Sequence, residues 1–277
     1  MNPSGTIGLV LMIVIAVISY KGFNDHRFFD RYKFQVADVF INRNYFRLVS
    51  SGFLHVGWTH LIFNLLSLLF FSSSLEFILG PARLLLVYFA SLIGGNLLAL
   101  LIHKNEGSYS AAGASGAISG LIFSSVALMP TSSIGLLLFP SIPAWLFGLI
   151  YMVFSIYAIR SSSDNIGHDA HMGGGLVGLA LTSALYPAAF LENIVTTLLI
   201  AIPAIVFLYI LIKRPTLLLV DNLFVKKKEK YYSVDHIYNQ RRAEKQKEID
   251  RILDKISIKG LKSLTKEERE FLEKNNQ

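Results

Sequence analysis

Residues 1–20 carry no charged side chain, and six further apolar runs follow at roughly 53–75, 84–103, 114–129, 143–159, 170–187 and 193–212. A helix of about 20 apolar residues is long enough to cross the hydrocarbon core of a bilayer. One globular core cannot hide seven such runs. Charged residues are 16% of the chain, against about one quarter in a soluble domain. The expected fold class is therefore an all-α polytopic membrane protein. Gly80-Pro81 breaks the chain after the second run and Met129-Pro130 after the fourth. There is no basic n-region and no A-x-A site at the start, so the first run is expected to be a span and not a cleaved leader. The chain has no cysteine, which excludes disulfides, thiolate metal sites and a cysteine nucleophile.

The net charge of +7 is uneven. Before Lys213 there are 9 Lys+Arg and 8 Asp+Glu; from Lys213 onward there are 17 and 11. The excess sits in a tail with a basic cluster at Lys226, Lys227, Lys228 and Lys230. This tail is a candidate contact with anionic lipid. Its many acids argue against nucleic acid. Thr265-Lys-Glu-Glu268 fits a capping box opening a last short helix.

Polar residues inside a span are costly, so each needs a reason. Three clusters stand out. His60 and Asn64 share one face of the second span, with His55 just upstream. Gly113-Ala-Ser115-Gly116 opens the fourth span, where free helix N–H groups could receive a developing oxyanion. His171 heads the sixth span with Gly174 and Gly178 on or near its face. Each cluster alone is ordinary: helix–helix glue, a helix cap, an interfacial histidine. His168 and Asp169 are expected to be interfacial too. Taken together, the glycine faces of spans four and six could pack. Ser115 would then lie within reach of His171, with the hydroxyl and base needed for acyl transfer. His60, Asn64 and the Ser115 N–H would be oxyanion donors. No third carboxylate at membrane depth offers itself to orient the histidine.

At this point the sequence resembles the rhomboid intramembrane serine proteases. Tyr45-Phe-Arg47 running to His55 resembles the family's entry loop. His55-x4-His60-Leu-x-x-Asn64 resembles its H-x-x-x-N segment, and Leu75-Glu76 with Gly80 and Arg83 its span-two exit. Gly113-Ala-Ser115-Gly116 matches G-x-S-G, and Ala170-His171-x-x-Gly174-x-x-x-Gly178 matches A-H-x-x-G-x-x-x-G. The likeness covers roughly residues 1–190. It implies a six-helix rhomboid-like core over 1–190; the apolar run after it is expected to be an extra transmembrane helix over 191–213, and the charged stretch beyond a basic, partly helical tail over 214–277. The likeness also implies Ser115 as nucleophile, His171 as general base, His60 and Asn64 at the oxyanion hole, and His55 in a supporting network. Substrates would be transmembrane helices of other proteins, cut at a small residue where the helix unwinds easily. They would enter past span five, with Ser161–His168 as a cap over the site. No metal or cofactor would be needed. A histidine base must be neutral, so activity is expected to fall below about pH 6.5.

Two features depart from the family pattern. An aromatic often stands one turn after the nucleophile, stacked on the base; here that residue is Ser119. Seven spans with the N-terminus inside would also put the basic tail outside, against the positive-inside preference. A complete seventh span is nevertheless the reading adopted, in a bacterial inner membrane. Three rival readings remain: an inactive relative that binds transmembrane helices, a metal site drawn from His55, His60, His168 and His171, and a pore. His55 and His60 lie about 140° apart around a helix, a poor pair for one metal. A pore lacks any ring of repeated charge.

Overall fold

The apolar runs all become helices. The computed structural model describes residues 5–134, 141–161 and 167–213, with scattered tail positions between 249 and 272. Helix α1 is Thr6–Asn24. The polar stretch after it folds into α2 (His26–Tyr32), strand β1 (Phe34–Gln35), α3 (Val36–Phe40), α4 (Arg47–Ser50) and a 3-10 turn, Ser51–Phe53. Arg47 staples this loop together. Its guanidinium donates to the carbonyls of Asp30 at 2.9 Å and Lys33 at 2.7 Å, and pairs with Asp38 at 3.1 Å. A buried arginine needs this many acceptors.

Helix α5, Trp58–Ile102, contains both the second and the third apolar run. The loop expected between them is absent. The chain turns within a single residue, Gly80 (φ 75°, ψ 165°), followed by Pro81. A positive φ favours glycine, and proline has no N–H for the helix to lose. Glu76 reaches across the bundle and accepts the N–H groups of Ile7 and Gly8 at 3.0–3.2 Å. It thereby caps the start of α1, whose first N–H groups have no helical acceptor.

The remaining elements are β2 (Ser110–Ala111), α6 (Ser115–Leu128), β3 (Ser133–Ile134), β4 (Ile142–Pro143), α7 (Ala144–Ser161), α8 (His168–Leu185), α9 (Pro187–Glu192) and α10 (Ile194–Lys213). Strands β1 and β2 pair antiparallel with Phe34 opposite Ala111; β3 and β4 pair with Ile134 opposite Ile142. These short ladders tie loops to helix ends.

Helices α5, α6 and α8 pack closely as the centre of the bundle, with α1, α7 and α10 around them. Every residue from Gly116 to Ala127 of α6 is buried. The outer helices show the opposite pattern: Val17, Tyr157 and Val195 are 63%, 68% and 77% exposed. A bundle whose outer surface is apolar is built for lipid. The chain is an all-α polytopic membrane protein. Helix α10, with 20 residues, is about 30 Å long, enough to cross the core. Helix α6, with 14 residues, is only about 21 Å long. A helix of that length does not cross the hydrocarbon core from end to end.

In the tail, the expected capping box forms. Thr265 Oγ1 accepts the Glu268 N–H at 3.2 Å, and the Glu268 carboxylate accepts the Thr265 N–H at 2.9 Å. Lys255 Nζ also reaches that carboxylate, at 2.8 Å. The basic cluster at Lys226–Lys230 and most of the expected cap at 161–168 lie outside the described residues.

Candidate active site

The site begins with two glycine faces. A Cβ on Gly174 of α8 would overlap the Gly116 carbonyl of α6; one on Gly178 would overlap the Gly120 backbone; one on Gly120 would strike Ser91 Oγ of α5. The helices therefore touch backbone to backbone. This close approach brings the two side chains together. Ser115 Oγ lies 2.6 Å from His171 Nε2, a short hydrogen bond. His171 is buried and Ser115 half-buried. The start of α6 adds N–H groups with no acceptor one turn back.

His60 faces the same point. Gly113 has φ 146°, and a Cβ there would come within 2.8 Å of the His60 ring. The glycine lets the loop pass directly beneath the imidazole. His60, Ser115 and His171, with Ser51, Asn96 and Gly113, line a cavity of about 20 Å³, room for about one water. Asn64 stands one turn beyond His60; its amide donates to the His60 carbonyl at 2.9 Å. His55 lies behind the site. It contacts Ser19 Oγ through Nδ1 at 2.9 Å and accepts the Ala114 N–H through Nε2 at 3.4 Å. Ser19 Oγ donates onward to the Phe53 carbonyl, so His55 Nδ1 is the donor in its own pair. Burial, then the neighbouring His60, pushes His55 down to about 3, so it stays neutral. It serves as a fixed strut between α1 and the loop that carries Ser115.

His168 and Asp169, expected to be interfacial, are buried within the protein, each only 4% exposed. Asp169 belongs to a cluster that the sequence reading missed. Its carboxylate meets His103 Nε2 at 3.1 Å and accepts the Tyr109 hydroxyl at 2.9 Å. The Tyr109 ring stacks on His103 with centroids 3.7 Å apart, and His103 Nδ1 contacts Glu106 at 2.8 Å. Burial works against a charged His103, but the bonds and charges of Asp169 and Glu106 outweigh it and raise it to about 9. The cluster clamps the first turn of α8, two residues before His171, to the end of α5. These residues are about 60 positions apart in sequence, and no short motif links them. Ser51 and Asn96 were also missed. Asn96 donates to the Leu48 carbonyl and to Ser51 Oγ, and the Ser51 carbonyl accepts the Gly113 N–H at 3.0 Å. Together they tie the entry loop to the site.

The Rhomboid domain family model matches residues 42–188, and a family of unknown function (DUF6576) matches residues 232–277 of the tail. "RHOMBOID-like protein 12, mitochondrial" of Arabidopsis thaliana is 27% identical over 62% of this chain and 55% of its own length. "Rhomboid protease GluP" of Bacillus subtilis is 28% identical over 62% of this chain and 33% of its own. "Inactive RHOMBOID-like protein 8" of Arabidopsis thaliana is 37% identical over 31% of this chain and 24% of its own. The chain thus spans little more than half, or less, of the length of these relatives.

Proposed function

Because this chain belongs to the rhomboid family, we propose that it is an intramembrane serine endopeptidase working through Ser115 and His171. The observation that carries this reading is the 2.6 Å hydrogen bond between their side chains at a buried glycine seam. As Ser115 Oγ attacks the scissile carbonyl, His171 Nε2 takes the hydroxyl proton. The carbonyl oxygen becomes an oxyanion, met by His60, by Asn64 and by the Ser115 backbone N–H. Collapse breaks the C–N bond, and His171 passes its proton to the leaving amine. An ester remains on Ser115. His171 then takes a proton from water as it attacks the ester, which leaves a carboxylate product and a free serine. His55, Gly113, Gly116, Gly174 and Gly178 hold this geometry without touching the reacting atoms. A base of this kind fails in acid, when its ring is protonated.

The substrate is a transmembrane helix of another protein. A helical carbonyl is already hydrogen-bonded, so cleavage requires local unwinding near small residues. Entry past α7 is supported by its looser packing against the central helices. We assign catalysis to residues 1–190, the added span to 191–213 and an anionic-lipid contact to the tail, in a bacterial plasma membrane. An inactive, helix-binding protein is the second reading, favoured by the likeness to a relative whose name marks it inactive.

The test is covalent labelling. Purified protein in detergent is treated with a fluorescent fluorophosphonate, beside Ser115→Ala and His171→Ala. Labelling of the wild type alone is expected. Folded wild type that labels no more than Ser115→Ala would favour the inactive reading.

A further inference from the structure

Ser119, one turn after Ser115, is too small to cover the base, yet an aromatic ring lies over His171 all the same. It comes from another helix. Tyr151 of α7 lies with its ring centroid 6.2 Å from that of His171 and its plane tilted by 25°. That distance and tilt fit a stacked aromatic pair. Its hydroxyl is 2.6 Å from Ser119 Oγ. Ser119 has one proton and donates it to the Ser115 carbonyl at 2.7 Å. Tyr151 must therefore be the donor to Ser119. The chain of donation runs from Tyr151 O–H to Ser119 O–H to the carbonyl of the nucleophile's own residue. Phe123, edge-on at 6.2 Å, and Phe147, nearly parallel at 6.5 Å, pack around the ring.

We propose that Tyr151 and Ser119 together form a positioning unit for the dyad, with the tyrosine ring holding the His171 imidazole and its hydroxyl tying α7 to the Ser115 backbone. Neither residue touches the reacting atoms. The serine is part of the device: a larger residue at 119 would occupy the space of the ring, and an apolar one would leave a buried phenol without an acceptor. The inference rests on the proteolytic reading above and adds a consequence to it. The base takes its support from α7, the helix past which a substrate must enter. Displacing α7 removes both the ring and the hydroxyl link, so the dyad is fully ordered only when α7 is seated.

The experiment uses the full chain in detergent with two readouts. One is the rate of fluorophosphonate labelling at Ser115. The other is the ring-proton resonance of His171 in protein with isotope-labelled histidine, which the tyrosine ring current displaces. Tyr151→Leu refills the space without a ring; it is expected to slow labelling about tenfold and to shift the resonance. Tyr151→Phe keeps the ring and should label within about threefold of wild type, with the resonance in place. Ser119→Phe added to Tyr151→Ala returns a ring from α6 and should recover most of the rate lost in Tyr151→Ala. Wild-type labelling by Tyr151→Leu, or a His171 resonance unmoved in that variant, would overturn the proposal. A wild type that does not label defeats the protease reading instead, and the resonance still decides whether Tyr151 covers His171.

Discussion

Helices α8 and α7 both lean on α6 beside Ser115, but they do so by different means. Helix α8 arrives backbone to backbone, through Gly174 on Gly116 and Gly178 on Gly120, with no side chain between. Helix α7 arrives through side chains. Its Gly148 faces the tips of Val126 and Ile200, and Tyr151 meets Ser119 and His171. The first contact has no rotamers and cannot relax. The second can shift by a side-chain hop. A hydrogen bond held at 2.6 Å needs the rigid kind; the proposed entry of a substrate past α7 needs the other.

Substitutions can break this contrast. Gly174→Ala places a methyl group inside the Gly116 carbonyl, where only backbone movement makes room. We expect a loss of about 3 kcal/mol or more, at the top of the overpacking range, and Ser115 labelling reduced to background. A Gly174→Ala protein with wild-type melting and labelling would show that the seam is not rigid.

The clamp on the first turn of α8 comes next. His103 is raised from 6.5 to about 9 in the folded protein. Its contribution is therefore complete below the unfolded value of about 6.5 and disappears as pH rises through about 9. Stability should fall by roughly 2 kcal/mol between pH 7 and pH 9. Unfolding in detergent at several pH values checks this. His103→Gln should flatten the dependence, and an equal slope in that variant would remove the clamp from the account.

Ser124 Oγ lies 2.8 Å from Thr182 Oγ1, farther along the α6–α8 seam. Bonds of this kind between membrane helices are worth about 1 kcal/mol or less, so Ser124→Ala should lower the melting point modestly and leave labelling unchanged. Gly148→Ala is the smallest case. Its Cβ would meet Val126 Cγ2 at 2.8 Å and Ile200 Cδ1 at 3.0 Å, side-chain methyl groups and not backbone. We expect less than about 1 kcal/mol, because the gain in helix propensity offsets the crowding. A cost at Gly148 equal to that at Gly174 would erase the distinction between the two helices.

The family and the membrane class were legible in the sequence because both rest on local patterns. Hydropathy over about 20 residues marks a span, and the G-x-S-G and A-H-x-x-G-x-x-x-G stretches are each contiguous in the chain. The capping box at Thr265–Glu268 was legible for the same reason, since its partners are three residues apart. The break at Gly80-Pro81 was legible, but not that it takes a single residue, nor that Glu76 just before it caps the start of α1, nearly 70 residues away.

The sequence by itself determined that this chain is a bundle of apolar helices with a serine and a histidine each set beside a glycine face. Only the tertiary structure decided that Asp169 answers to His103 and Tyr109, and that the ring over His171 comes from Tyr151 and not from position 119. The physical reason is the range of the forces. Burial and helix periodicity act along the chain and leave their mark within a few turns. A hydrogen bond or a stacked ring acts over a few ångströms of space, between residues whose separation in sequence carries no signal of their meeting.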